Sequence, residues 1–412
     1  MKRRVVIITA VVWMLVIVAV ASSALTALVL SGSDGGSALR VVGEDEYEII
    51  DRYRRLDEVR ATLMNEYYQP LDEDELVLGA IRGMMSAVGD PYTFYYTADE
   101  MTAANEEFGG VYHGVGMLVQ LTDDGAIEVA RVYEDSPAEA AGVRMGDRIV
   151  AVDGVEVSGE SAQTLNEAID RIQGEDGTTV VLSVQRDGEI LDLEVMRAEV
   201  SISYVEYQII NGDIGYINIS QFSGNDVEGF QEAMSALQAA DVSGVIIDIR
   251  NNPGGLLTDV VEIADALLPE GLIAYVEDGH GNRTEYTSDA DYWDVPLVVM
   301  VNGMSASASE LLSAAIQDYD RGTIVGTTTY GKGIVQTLIT FAEDGAGMQL
   351  TTASYYSPSG RSIHENGVEP DVTVELSEDC DLTVPLPNLE NDNQLAAALE
   401  ALQARIDAAS EE

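Results

Sequence analysis

The stretch PLVVMVNGMSASASELLSAAIQ, residues 296–317, decides the fold class of this 412-residue chain. Residues 296–301 form an unbroken apolar run, the pattern of a strand buried on both faces. A turn follows at Asn302-Gly303, and the small residues over 305–317 are spaced as a helix. A buried strand feeding a helix is the repeating unit of an α/β core. The alternation extends in both directions, with strands expected over 214–219, 245–249, 323–325, 335–341 and 348–353. Helices are expected over 225–237 and 256–268. The core is therefore assigned to 200–375. The tail, 376–412, ends in an amphipathic helix over 393–409, a candidate homodimer element.

Upstream, Lys2, Arg3 and Arg4 precede an uncharged run over 5–30. That run is long enough to span a bilayer as a helix, and its positive flank orients it with the N-terminus in the cytoplasm. Residues 1–31 are read as a transmembrane signal-anchor of a single-pass membrane protein, with the bulk of the chain extracytoplasmic. Ala19-Val20-Ala21 offers the alternative of signal cleavage and secretion. The glycine- and serine-rich 32–43 is a linker. Over 44–104, apolar residues recur at helical spacing (Tyr53, Leu56, Val59, Leu63, Tyr67), interrupted by Pro70.

From 105 to 199 the texture changes to short β-type runs punctuated by glycine. Gly114-Val115-Gly116-Met117-Leu118-Val119 opens the region, and Ser136-Pro137-Ala138-Glu139-Ala140-Ala141-Gly142 reads as a short helix with a glycine stop. Gly146-Asp147-Arg148-Ile149-Val150 follows, then a helix over 161–172 and a strand over 179–184. In this order the segments resemble a PDZ domain, which binds an extended peptide as an added strand. The resemblance places the peptide-binding loop at His113, Gly114, Val115, Gly116 and Met117.

Composition excludes several classes. The formal charge is −51, from 72 acidic and 21 basic residues, and such a surface repels phosphate backbones, which argues against nucleic-acid binding. Cys380 is the single cysteine, so no intrachain disulfide forms. With His113, His280 and His364 alone available and no Cys/His cluster, no metal site is expected.

Two segments carry candidate chemistry. Ser307 sits where the strand at 296–301 turns into the helix at 305–317, and free N–H groups at a helix N-terminus suit a nucleophile whose product is an oxyanion. Serine is also a favoured helix cap, so the position alone decides nothing. Lys332, in Thr329-Tyr330-Gly331-Lys332-Gly333-Ile334-Val335-Gln336, acts as a base only when neutral, which desolvation favours. In a strand, positions 332, 334 and 336 share a face, so Gln336 can orient the amine. Gly326 to Lys332 also fits the GxxxxGK part of a phosphate-binding loop, but Gly333 replaces the required Ser or Thr. The serine segment is not GxSxG, so no hydrolase elbow is indicated. His364-Glu365 lacks the second histidine of a zinc protease, and no motif supports a glycosidase.

Together, Ser305-Ala306-Ser307-Ala308-Ser309-Glu310, Tyr330-Gly331-Lys332-Gly333 and Arg250-Asn251-Asn252-Pro253-Gly254-Gly255 resemble the carboxyl-terminal processing peptidases, the tail-specific S41 serine proteases. Tyr355-Tyr356-Ser357-Pro358-Ser359-Gly360-Arg361 and Gly367-Val368-Glu369-Pro370-Asp371 fit the same family. The resemblance implies an α/β protease core of crotonase-like ββα units with an inserted PDZ domain. It implies a Ser307/Lys332 dyad supported by Gln336, and an oxyanion hole from Ala308 with Gly254 or Gly255. It further implies protein or peptide substrates with accessible C-terminal tails, and no cofactor. In many relatives an arginine follows the second PDZ helix, where this chain has Gln173. The alternative function is a PDZ-based binding or scaffold protein with an inactive protease core.

Overall fold

The computed structural model describes residues 44–411, apart from 110, 123, 134, 158–161, 202–203, 381 and 383–390. The signal-anchor and linker assigned to 1–43 lie outside the described residues. Among the described residues, no helix is long and apolar enough to cross a membrane.

The chain divides into two compact units, 1–83 and 84–412. In the first, the helix Glu44–Glu66 runs to a turn containing Pro70, and the helix Glu73–Ser86 follows. Arg60 pairs with Asp57 one turn back and with Glu73 across that turn. Tyr53, Leu56, Val59 and Leu63, the residues whose spacing predicts this helix, form an exposed stripe.

In the second unit, the strands Val111–Gly114 and Ala198–Ser201 pair antiparallel and bring together the two ends of the glycine-punctuated module. Between them lies a six-stranded sheet closed over the helix Ala162–Ile172. Val115, Ile127, Val129, Ile149, Leu182 and Val195 form its separate core. Ser136 caps the short helix Pro137–Ala140, its hydroxyl accepting from the Glu139 N–H at 3.2 Å.

The remaining residues build two further sheets. The first is ordered Val205–Ile210, Ile214–Ile219, Gly244–Asp248, Leu297–Val301, Thr323–Gly326, Val372–Thr373, parallel throughout except at the first pair. Helices Asp226–Ala239, Leu257–Asp265 and Ala308–Asp318 cover one face, packing Phe230, Leu237, Ile263, Leu311 and Leu312 on Ile217, Ile247 and Val299. On the other face, Leu395, Ala398 and Leu402 of the final helix, Asn393–Glu411, cover Tyr216, Ile246, Val298 and Met300. That helix therefore spends its apolar side inside its own chain, which corrects its reading as a dimer element. Its start is fixed by Arg250, which is buried against Asp248, Asp392 and Gln394.

The second sheet is antiparallel, ordered Phe94–Tyr96, Gly347–Tyr356, Gly271–Asp278, Arg283–Ser288, with Ile334–Thr340 also paired to Gly347–Tyr356. Its hairpin Gly271–Asp278/Arg283–Ser288 is absent from the sequence-based reading. The outer strand, RTEYTS, is mostly exposed and carries no apolar alternation to mark it.

Candidate active site

The strand Leu297–Val301 ends at the sheet's C-terminal edge, and the chain turns through residues 302–307 into the helix Ala308–Asp318. Ser307 is the cap of that helix and has φ +55° and ψ −115°. A non-glycine residue there stores about 1–3 kcal/mol of strain and persists only where its surroundings over-determine it. They do so here. The Ser307 carbonyl accepts from the Tyr355 hydroxyl at 2.8 Å and from the N–H groups of Glu310 and Leu311 at 2.9 and 3.0 Å. Its N–H donates to Glu310 Oε2 at 2.9 Å. A strained strand-to-helix turn thus forms without the GxSxG signature. Its tightness comes from Gly254, where a side-chain carbon would lie 2.7 Å from Ser307 Cβ and 2.9 Å from the Ala308 nitrogen. The glycine that permits the turn is on another segment, which a local motif cannot show.

Gly254 and Gly255 lie between the strand Gly244–Asp248 and the helix Leu257–Asp265. Asn252 organises the turn: its Oδ1 accepts from the Gly254 N–H at 2.8 Å, and its carbonyl accepts from the Ala306 N–H at 3.0 Å and from Ser309 Oγ at 3.0 Å. The Gly254 N–H is therefore occupied. Among the described residues, the N–H groups of Gly255 and Ala308 have no protein acceptor.

Lys332 enters from the opposite side, on the loop between Thr323–Gly326 and Ile334–Thr340. A strand follows it, so the phosphate-loop alternative fails structurally as well as at Gly333. The Lys332 N–H donates to Glu310 Oε2 at 2.8 Å, and Glu310 Oε1 accepts from Thr329 Oγ1 and the Gly331 N–H, both at 2.6 Å. One fully buried carboxylate therefore joins the backbone of Ser307 to the backbone of Lys332. The Tyr355 hydroxyl adds a second tie, donating toward the carbonyls of Ser307 and Lys332. Burial pushes the Lys332 amine below its ordinary value, against the opposing charges of Asp90 and Glu310.

Ser307, Ala308, Gly254, Gly255, Lys332 and Gln336 all line one cleft of about 610 Å3, with Leu256, Leu257, Leu311, Ile334 and Leu338 supplying apolar wall. Among the described residues, no hydrogen bond joins Gln336 to the lysine. Its Nε2 donates to Thr351 Oγ1 at 3.3 Å. The strand begins only at Ile334, so the alternation that relates 334 to 336 does not extend to Lys332, which stands on the preceding loop.

In the glycine-punctuated module, Gly114, Val115, Gly116 and Met117 line a second cavity of about 310 Å3 with Ile169, Ile172 and Gln173. Gly116 has φ +78°, and a side-chain carbon there would lie 2.3 Å from Ser136 Cβ, so the loop requires glycine. His113 does not line this cavity. Its Nδ1 lies 2.8 Å from Asp176 Oδ1, and its pKa is raised by that hydrogen bond. Arg131 of the module pairs with Glu206 in the core strand Val205–Ile210, an arginine contact at a place other than Gln173.

The sequence-based reading assigns no role to Glu310, Tyr355, Asn252 or Tyr92. Glu310, Asn252 and Tyr355 stand inside the quoted motifs, and Glu310 also completes a capping box with Ser307 three residues before it.

Comparison with known proteins fits this geometry. Residues 213–374 match Peptidase family S41, 128–186 match a PDZ domain, and 32–100 match the activating protease CtpB N-terminal domain. The Bartonella bacilliformis carboxy-terminal-processing protease is 35% identical over 348 residues, covering 82% of this chain and 78% of that one. The chain belongs to the S41 carboxy-terminal-processing proteases. Another relative in this family, the Bacillus subtilis carboxy-terminal processing protease CtpA, is 32% identical over 368 residues, covering 88% and 77%. An S41 protease structure from Bacteroides fragilis shares the fold at 17% identity and a TM-score of 0.54, covering 84% of this chain and 97% of that one. The S41 protein described here is thus a serine-type peptidase with a PDZ domain.

Proposed function

We propose that this chain is a membrane-tethered, extracytoplasmic endopeptidase that captures a protein's C-terminal tail on its PDZ groove and cleaves it with a Ser307/Lys332 dyad. The observation that carries the reading is the meeting of Ser307 and Lys332 in one cleft, the first on a strained helix cap and the second partly desolvated. Neutral Lys332 takes the Ser307 Oγ proton as Oγ attacks the scissile carbonyl carbon. The N–H groups of Ala308 and Gly255 receive the oxyanion. Gly255 is preferred to Gly254 because Asn252 already holds the Gly254 N–H. Collapse expels the amine, which takes the lysine's proton and leaves an acyl-enzyme. Lys332 then takes a proton from water as it attacks the ester.

The groove beside Gly114 to Met117, walled by Val115, Met117, Ile169 and Ile172, suits an apolar C-terminal side chain. The tether rests on Lys2, Arg3, Arg4 and the uncharged run over 5–30. Ser307→Ala and Lys332→Ala are each expected to abolish cleavage of labelled casein while melting at the wild-type temperature. Turnover at the wild-type rate in either variant refutes the dyad.

A further inference from the structure

Lys332 Nζ has an unexpected neighbour. It lies 4.5 Å from the centroid of the Tyr92 ring, within the range of a cation–π contact. Among the described residues no hydrogen bond joins Nζ to Ser307 Oγ or to any other acceptor.

The two carboxylates nearest in charge to the amine are already engaged. Glu310 accepts four hydrogen bonds from Ser307, Lys332, Gly331 and Thr329, none of them from Nζ. Asp90, on the turn before Phe94–Tyr96, accepts from the Tyr92 N–H at 3.0 Å and from Thr93 Oγ1 at 2.7 Å. Against its burial, the carboxyl of Asp90 is held below its ordinary value by hydrogen bonds from Thr351 and Thr93 and, more weakly, by the charge of His364. On its far side the Tyr92 hydroxyl meets the Tyr330 hydroxyl at 3.4 Å, and that bond helps push the Tyr92 pKa up to about 12, so the ring stays an uncharged phenol.

The ring is held in place by the antiparallel sheet. The Tyr92 carbonyl accepts from Gln349 Nε2 at 3.1 Å, Thr93 Oγ1 accepts from the Thr351 N–H at 3.1 Å, and Phe94 to Tyr96 pair with Gln349 to Gly347. Thr351 is also the residue that holds Gln336. One strand therefore fixes both Tyr92 and Gln336.

We propose that Tyr92 is a positioning residue for Lys332: its ring face holds the ammonium in the substrate-free enzyme. The inference rests on Lys332 being the base. The ring acts on the amine in two opposed ways. It excludes water, which favours the neutral amine, and it presents a negative π face, which favours the cation. Leucine keeps the first effect and deletes the second. Phenylalanine keeps both.

The chain suits a direct test, because Lys2 and Lys332 are its only lysines. Reductive methylation of the full chain with 13C-formaldehyde gives two dimethyl-lysine NMR signals beside the N-terminal amine, and Lys332→Arg assigns them. In the wild type, the Lys332 methyl protons are expected upfield of the Lys2 signal through the ring current of Tyr92. In Tyr92→Leu that displacement disappears and the Lys332 titration midpoint falls by about half a unit to one unit. In Tyr92→Phe both stay at wild-type values. Casein cleavage by unmethylated enzyme follows in parallel, and the acidic limb of kcat/KM moves to lower pH in Tyr92→Leu alone. A Lys332 signal without upfield displacement in the wild type overturns the proposal, whether or not the variants fold. So does an unchanged or raised midpoint in Tyr92→Leu, or a fall in Tyr92→Phe as large as that in Tyr92→Leu. Failure of the dyad reads differently: Lys332→Arg retains wild-type turnover while the NMR titrations still report where the amine sits.

Discussion

Replacing Glu310 by glutamine tests how the two halves of the active site are held together. The carboxylate is fully buried and accepts four hydrogen bonds, from the N–H groups of Ser307, Gly331 and Lys332 and from Thr329 Oγ1. The amide in Glu310→Gln has nearly the same shape but only one oxygen, so either pair of donors comes to face an NH2 group. Two donors lose their acceptor, at about 1–3 kcal/mol each, or roughly 2–6 kcal/mol in all. A domain's whole stability is about 5–15 kcal/mol, so the core survives if the loss is met locally. The loop over 327–333 carries no regular element and relaxes first, moving Lys332 relative to Ser307. A displacement of order 1 Å at the reacting groups costs about 100-fold. Casein cleavage is therefore expected to fall at least that far in kcat, with a melting temperature lowered by only a few degrees. A second readout separates this from general damage. The Glu310 charge holds the Lys332 pKa up, so in the variant the acidic limb of the residual activity moves to lower pH. A kcat/KM within twofold of wild type at an unchanged melting temperature refutes the reasoning.

Three further outcomes follow from the structure. Gly254→Ala places a methyl 2.7 Å from Ser307 Cβ at a position with φ +100°, so kcat on casein falls by about 100-fold or more, and a wild-type kcat contradicts the close-approach argument. The net charge of −51 makes self-repulsion a standing cost, and the screening length shrinks from about 10 Å at 0.1 M salt to about 3 Å at 1 M. The melting temperature accordingly rises between those concentrations of NaCl, and a flat or falling curve counts against that cost. Asp226 is fully buried, and its pKa is raised to about 8 by burial and by Asp259. A folded-state value above the unfolded one means that the neutral acid's stability is complete below about pH 4 and lost as pH rises through about 8. Asp226→Asn, which mimics the neutral acid, gains in melting temperature over wild type from pH 5 to 8, and parallel curves refute the assignment.

Much of the architecture is legible from local pattern. The apolar runs that predict buried strands, 214–219 and 296–301 among them, are the central strands, because a strand covered on both faces must be apolar at successive positions. Gly116 is equally legible, since its positive φ and the nearby Ser136 leave room for no side chain. Ser307 and Lys332, from motifs that each look ordinary alone, come to line one cleft. Gln336 shows the limit of period-two reasoning, because Lys332 stands on the loop before the strand, which begins only at Ile334.

What sequence reasoning misses has a common cause. Glu310, Tyr355 and Tyr92 act across long separations: Tyr355 reaches back 48 residues to Ser307, and Tyr92 lies over a lysine from a different part of the chain. The contacts of Tyr355 and Tyr92 have no periodicity, since they are made between separate segments, whereas Glu310 joins a local cap on Ser307 to a loop 21 and 22 residues on. The final helix is misread for a related reason. An amphipathic pattern states that one face must be covered, but not by what. Here Arg250 decides it. The guanidinium is buried among Asp248, Asp392 and Gln394, two of which stand at the helix start. Leaving a buried ion pair half made costs about 3–5 kcal/mol, in addition to the apolar burial that Leu395, Ala398 and Leu402 would lose on leaving the sheet. The helix is thus docked on its own sheet by charge at its start and by its apolar stripe along its length.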